Sequence, residues 1–460
     1  MRFRRAFRRY FVSVSALVLV SGAAMGQGLG GLGGLGNGIG SGIGGLPPVL
    51  NGPLGQVNRT LGTAAGTVRR SVDSVGRRAQ PPANLFEADI AGARIVKSEV
   101  LAVSPSEESL AIARGLNFDV LRQQDLGALD LRVLVLRPPA GMSTTEALSR
   151  LRMADPNGVY DYNHIYGPSG QAGAGEIANG ATRAVSVKIS DGEGLAIGLV
   201  DGGVDRTHPA LLGAKIIAAN LAGKGASPPS AHGTALASLL VGDGRNVTGA
   251  LPRAQLYVAD VFGGKAEGGS ADDIVRGLAW VAGKGPAIIN VSLTGPANRS
   301  LEAVVRALIA RGHIVVAAVG NDGPAASVKY PAAYPGVIAV TSVDSAKTIQ
   351  VDANRGPEIA FAALGVGVSV AALDKNYASA TGTSFAAPLV AARFALEVRA
   401  PDAGARSARK QPPSAKPSIS ARRGAAPSSA SVCLAGSPTP PRASPSSRAE
   451  PQLFRHRGVI

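Results

Sequence analysis

Between residues 195 and 343 the chain holds five short stretches that stay largely apolar without alternating: 195–200, 256–261, 287–293, 313–319 and 337–343. A strand with one wetted face shows a polar residue at every second position, so stretches of this kind are buried on both faces. Helices are expected between and after them, at 231–241, 270–282, 300–310 and 383–398. Together they predict an α/β fold, a mostly parallel sheet with helices on both faces. Sites in such sheets gather beyond the carboxyl ends of the strands. Asp201 and Asn321 each follow an expected strand directly and are the first candidates.

Two more candidates stand at helix starts. Gly382-Thr383-Ser384-Phe385-Ala386-Ala387-Pro388 delivers a serine into the first turn of 383–398, where unpaired backbone N–H groups and the helix dipole favour an oxyanion. Ser230-Ala231-His232-Gly233-Thr234-Ala235 does the same for a histidine, at a position where an imidazolium is disfavoured. Singly, each candidate has an ordinary structural explanation. Serine caps helices, aspartate precedes glycines in turns, and Asn321-Asp322-Gly323 is a strong turn signal. In the order Asp201, His232, Ser384, each at an element end among small residues, they point to nucleophilic catalysis.

Residues 190–398 resemble the subtilisin-like serine proteases, the subtilases (peptidase S8). Val200-Asp201-Gly202-Gly203-Val204-Asp205 with His208-Pro209 is similar to the family's aspartate block. His232-Gly233-Thr234-Ala235-Leu236-Ala237 is similar to its histidine block, and the Ser384 stretch to its serine block. Ala318-Val319-Gly320-Asn321-Asp322-Gly323 is similar to the block that supplies the oxyanion asparagine. The resemblance implies a serine endopeptidase: Ser384 as nucleophile, His232 as base, Asp201 holding the imidazole, and Asn321 with the Ser384 N–H binding the oxyanion. It also implies that Ser292-Leu293-Thr294-Gly295 lines one side of the primary pocket, with 317–320 as the opposite wall. Gly268-Gly269-Ser270 would lie across the bound peptide. Thr294 stands where the family usually has a second glycine, and a small or apolar residue is expected at the cleavage point. Calcium, common in the family, is not expected. Ala210 occupies a usual ligand position and 241–250 is too short for the usual loop. Asp272 and Asp273, at a helix start, read as dipole-favoured surface acids. No His/Cys cluster has metal spacing, and no cofactor is expected.

Ahead of this domain, 83–166 alternates short elements in the order β-α-β-β-α-β, the split βαβ arrangement. Ser106 opens its first helix and Ser143-Thr144-Thr145-Glu146 its second, by the capping-box pattern. This segment resembles the family's propeptide, which implies a folding chaperone and an intramolecular inhibitor until cleaved. The Gly/Ser/Ala-rich stretch 167–182 reads as a linker open to proteolysis, and 183–400 as the catalytic domain.

Charge sits at the ends. Of the net +16, residues 1–26 carry five Arg and no acid, and the tail from 401 carries ten Lys/Arg against Asp402 and Glu450. With five Arg and Asp73 in 27–82, residues 83–400 keep 27 basic against 28 acidic residues, so nucleic acid is not an expected partner. Residues 1–26 read as a signal peptide, with arginines before an apolar core at 11–20 and Ala24-Met25-Gly26 as cleavage site. That core is far short of the roughly 20 residues a span needs, so a secreted or periplasmic protein without stable membrane insertion is expected. Residues 27–82 read as a Gly-rich, Arg-dotted linker and 401–460 as a disordered basic tail. The lone Cys433 permits no internal disulfide. The expected partners are protein or peptide substrates and the chain's own propeptide, with the protein a monomer. The tail stands where the family has further closing elements. The alternative reading is therefore an inactive or poorly folded subtilase, and a third is a basic-tailed binding or surface-attached module.

Overall fold

The computed structural model describes residues 85–169, 171–176, 187–244 and 246–404. The expected signal peptide, the linker 27–82 and nearly all of the expected tail lie outside the described residues. The first elements are β1 (Phe86–Ala88), β2 (Arg94–Val103), α1 (Glu107–Gly115), β3 (Asp119–Leu126), β4 (Leu131–Arg137), α2 (Thr144–Ala154) and β5 (Val159–Pro168). The last four strands make an antiparallel sheet in the order β5-β2-β4-β3, the split βαβ order. Ser106 and Ser143 cap their helices by accepting from the N–H groups of Ser109 and Glu146. The reciprocal half of the second capping box is absent, because the Glu146 carboxylate pairs with Arg150 one turn on. β3 is polar over most of its second half. At a sheet edge its Arg122, Gln123, Gln124 and Asp125 meet solvent, so no apolar pattern marks them.

β2 and β4 are apolar on both faces, and each face has its own cover. Val100, Ala102, Leu134 and Leu136 pack with Ala147, Leu148 and Leu151 of α2. Leu101, Val103, Val133 and Val135 instead join the core formed by α4 (Ala271–Gly283) and α5 (Arg299–Ala310) of the larger layer. The small sheet is thus a layer docked on two helices, and burial of its outer face drives the docking.

The larger layer also contains β6 (Gln171–Glu176), β7 (Ala196–Asp201), β8 (Lys215–Asn220), α3 (Ala231–Val241), β9 (Gln255–Asp260), β10 (Gly269–Ser270), β11 (Ile288–Val291), β12 (Leu293–Thr294), β13 (Ile314–Ala318), β14 (Ile338–Val343), β15 (Ile359–Leu364), β16 (Val368–Ala371), β17 (Tyr377–Thr381) and α6 (Thr383–Glu397). Seven of these strands form one parallel sheet, β15-β14-β13-β11-β7-β9-β8. Its two faces are sorted by strict alternation. On β13, Ile314, Val316 and Ala318 face the core with α3 and α6, while Val315 and Ala317 face α4 and α5. The α/β expectation holds. β8, β15, β16 and β17 are additions to it: β8 and β15 are edge strands, and β16–β17 is a small-residue hairpin whose composition gives no strong strand signal.

Over its described residues, the linker expected at 167–182 is corrected. β5 extends to Pro168, Ser169 is buried, and residues 171–176 form β6, paired antiparallel with β17. Gly, Ser and Ala carry little intrinsic strand preference, and here the pairing comes from edges supplied by the larger layer. Asp272 and Asp273 are corrected too. Both are buried, ion-paired with Arg276 and with Arg122 or Lys265, because the small sheet covers the helix start.

Candidate active site

Asp201 ends β7, and its Oδ1 lies 2.8 Å from His232 Nδ1 and accepts from the Gly202 N–H. His232 occupies the first turn of α3, whose cap is the Ser230 hydroxyl bonded to Gly233 N. Asp201 and Ser384 are fully buried and His232 nearly so. Ser384 stands in the first turn of α6, capped by Gly382 with no side-chain bond, so its hydroxyl is not spent on capping. Pro388, one turn further, has no N–H for the Ser384 carbonyl. That carbonyl accepts from Ser292 Oγ at 3.0 Å instead, which ties the serine turn to the strand wall.

Asn321 follows β13. Its Oδ1 accepts from Thr383 N and Gln350 Nε2, both at 3.0 Å, so its NH2 group is turned the other way. It points at the carbonyl oxygen of Ser169, 2.5 Å distant. The Ser384 N–H donates to the same oxygen at 3.2 Å. The Ser384 hydroxyl also bonds it, and lies 2.9 Å from Ser169 Oγ. With the hydroxyl so engaged, His232 Nε2 is buried without a hydrogen-bond partner.

The chain's own residues 165–169 lie along the expected peptide track. Ile165 and Tyr166 pair antiparallel with Ser270 and Gly269, and Gly167 and Pro168 with Thr294 and Leu293. Ser169 N donates to Ser292 O at 3.2 Å. Gly268, at φ +108°, meets the strand so closely that a Cβ would come 2.1 Å from Tyr166 O. Gly295 lies under the buried Tyr166 ring, whose hydroxyl donates to Pro296 O at 2.7 Å. All seven expected peptide-contacting residues therefore flank one extended segment. Burial pushes the Tyr166 phenol well above its ordinary value, so it donates as a neutral hydroxyl.

Three participants were missed in the sequence. Ser169 lay inside the expected linker, and Gln350 sits in a connection that carries no motif. Asp260, at the end of β9, is in register with Asp201. Its Oδ1 accepts from Phe262 N and Gly263 N while Oδ2 is unpaired. Burial pushes its carboxyl up, and the nearby Asp201 adds to this. Its place at a strand end, like that of Asp201, was the available signal.

A serine at a helix start, a histidine–aspartate pair at neighbouring strand and helix ends, and an edge-paired extended segment meet on a parallel α/β sheet, an arrangement of the serine-hydrolase kind. A profile of the subtilase family matches residues 192–410. The chain is 33% identical over 218 residues to the major intracellular serine protease of Bacillus subtilis (strain 168), covering 45% of this chain and 68% of that protein. To Subtilisin Savinase of Lederbergia lenta it is 34% identical over 216 residues, covering 45% and 76%. Other alkaline proteases are matched over little more than half of their length. Fervidolysin from Fervidobacterium pennivorans, a keratinolytic enzyme related to subtilisin, shares the fold at a TM-score of 0.54 and 19% identity, over 68% of this chain and 56% of that one. The chain belongs to the subtilase family of serine endopeptidases. Among the described residues no helix is long and apolar enough to cross a membrane.

Proposed function

We propose that the protein is an exported endopeptidase made as a zymogen, in which residues 85–169 inhibit the cleft they helped to form and Ser169–Gly170 is the bond the chain cuts in itself. The observation that carries this reading is the Ser169 carbonyl oxygen, shared by Asn321 Nδ2 and Ser384 N with the Ser384 hydroxyl beside it. Export rests on the composition of residues 1–26.

Ser384 Oγ attacks the Ser169 carbonyl carbon as His232 Nε2 takes the hydroxyl proton, and Asp201 stabilises the imidazolium through Nδ1. The negative charge gathers on the carbonyl oxygen between the Asn321 and Ser384 donors. Collapse breaks the bond to the Gly170 nitrogen, which receives the proton from His232. Water, deprotonated by the same histidine, then hydrolyses the Ser384 ester and frees the Ser169 carboxylate. The same steps apply to external peptides with a small residue before the cut, since Ser169 fills that position.

The test is labelling with a fluorophosphonate, beside Ser384→Ala, with intact mass recorded. Labelling lost in the variant, together with a wild-type fragment beginning at Gly170, is the expected result. A folded protein that neither labels nor cuts itself would overturn the reading in favour of an inactive subtilase.

A further inference from the structure

The half of the cleft beyond the cut bond has its own occupant. β17 is paired on one edge with β16, Val368 opposite Ala380 through Ala371 opposite Tyr377. Its other edge takes β6, with Gln171 opposite Thr381, Ala172 opposite Ala380 and Glu176 opposite Ala378. β17 then runs through Gly382 straight into Thr383 and Ser384. The peptide track therefore has two rails. Gly269–Ser270 and Leu293–Thr294 hold the residues before Ser169–Gly170, and the edge of Tyr377–Thr381 holds those after it. The sequence of β6, Gln-Ala-Gly-Ala-Gly-Glu, has no large apolar residue and weak strand preference, so its pairing rests on main-chain bonds to an edge that offers them.

Resting on the self-cleaving reading above, we infer that the chain keeps a segment of its own on the leaving side of the nucleophile, paired along the edge of Tyr377–Thr381. That segment, residues 171–176, stays there after Ser169–Gly170 is cut. Cleavage does not free that segment, because residues 177–186 join it covalently to the catalytic layer. A short tether holds a ligand at an effective concentration on the order of millimolar. The once-cut enzyme is open on one side of the nucleophile and blocked on the other. The favoured partner is an extended peptide with at least six residues beyond the cut bond, able to displace β6 strand for strand.

The test uses the self-cleaved full chain beside a variant lacking residues 171–176. Two quenched peptides share Tyr-Gly-Pro-Ser before the cut and carry one or seven residues after it. An anilide of Tyr-Gly-Pro-Ser, which touches nothing beyond the cut, measures active enzyme. In the deletion variant the longer peptide should gain about tenfold or more in kcat/KM over the shorter one, and in the self-cleaved wild type most of that gain should be missing. Equal rates for the two lengths in the deletion variant, or the same gain in both proteins, overturn the inference. Amide exchange on the uncut Ser384→Ala chain and on the cut wild type needs no turnover. Amides of 171–176 and 378–381 should be protected about tenfold or more in both, and exchange of 171–176 at free-peptide rates overturns the inference. Failure of the anilide to react at all would count against the protease reading alone, leaving the exchange result to decide this one.

Discussion

Asn321 serves the Ser169 carbonyl because its own oxygen is already held by Thr383 N and Gln350 Nε2. A donor fixed in advance needs no reorganisation as charge develops on the oxygen. Asn321→Ala should lower kcat about 10²–10³-fold with KM little changed, a loss already established for the corresponding donor of subtilisin itself. Wild-type kcat in this variant would place the oxyanion elsewhere. Asp260 makes a prediction of the opposite kind, about stability. Burial raises its folded pKa above the ordinary 3.8. Between those two values the folded state keeps a proton that the unfolded state has lost, so stability falls as pH rises through the window and stays lower above it. Asp260→Asn removes that proton linkage. In a Ser384→Ala background, which prevents self-digestion, the Tm difference between variant and parent should climb in favour of the variant as pH rises above the ordinary carboxylate range. A difference that is flat with pH would mean that Asp260 titrates alike in both states.

β5 is the element on which fold and site meet. It is the outermost strand of the small layer at one end and the peptide in the cleft at the other. Gly295 sets the fit, since an added Cβ would lie 2.4 Å from Tyr166 Cδ1. Gly295→Ala should expel the Tyr166 ring and weaken the hold of the cut segment about tenfold or more. The expected readout is a rise in free active sites immediately after self-cleavage, titrated with the fluorophosphonate. An unchanged active fraction would show that the aromatic contact does not govern release. The same element explains what the sequence disclosed and what it hid. The buried runs, the helix starts at Ser106, Ser143 and Ser270, and the small-residue turns around Asp201, His232 and Ser384 are local patterns with local physical causes. Tyr166-Gly167-Pro168-Ser169 is different. Its composition signals a turn, and it is extended only because two edges from distant parts of the chain, at Gly269 and Leu293, meet on either side of it. No window of sequence contains that cause. Gln350 was hidden for the same reason, since its partners Asn321 and Ser342 arrive from other parts of the chain.

Over the whole molecule the two layers are joined by more than apolar area. One face of β5 turns polar groups onto the helix starts of the catalytic layer. Asp161 Oδ2 accepts from Arg299 N at 2.6 Å and Asn163 Oδ1 from Asp272 N at 3.0 Å, while Asn298 Nδ2 donates to Tyr162 O at 2.8 Å. A helix start leaves its first N–H groups unpaired and attracts negative charge. The small layer thus supplies, from outside, caps that α4 and α5 otherwise draw from Ser270 and Asn298 alone. Asp161→Ala should cost about 0.5–2 kcal/mol, the range for loss of a helix cap, with Asp161→Asn keeping part of it through its remaining acceptor. Removal also leaves Arg152, which pairs with Asp161 at 3.1 Å, bonded to the Tyr160 carbonyl without its acid, so Arg152→Ala gives the control that separates the ion pair from the cap. Measured as Tm of the uncut Ser384→Ala chain, the expected order is parent, then Asp161→Asn, then Asp161→Ala, with Arg152→Ala near the parent. Equal values for Asp161→Ala and the parent would assign docking to the apolar face of Leu101, Val103, Val133 and Val135. The polar caps would then act only to set the orientation in which β5 enters the cleft.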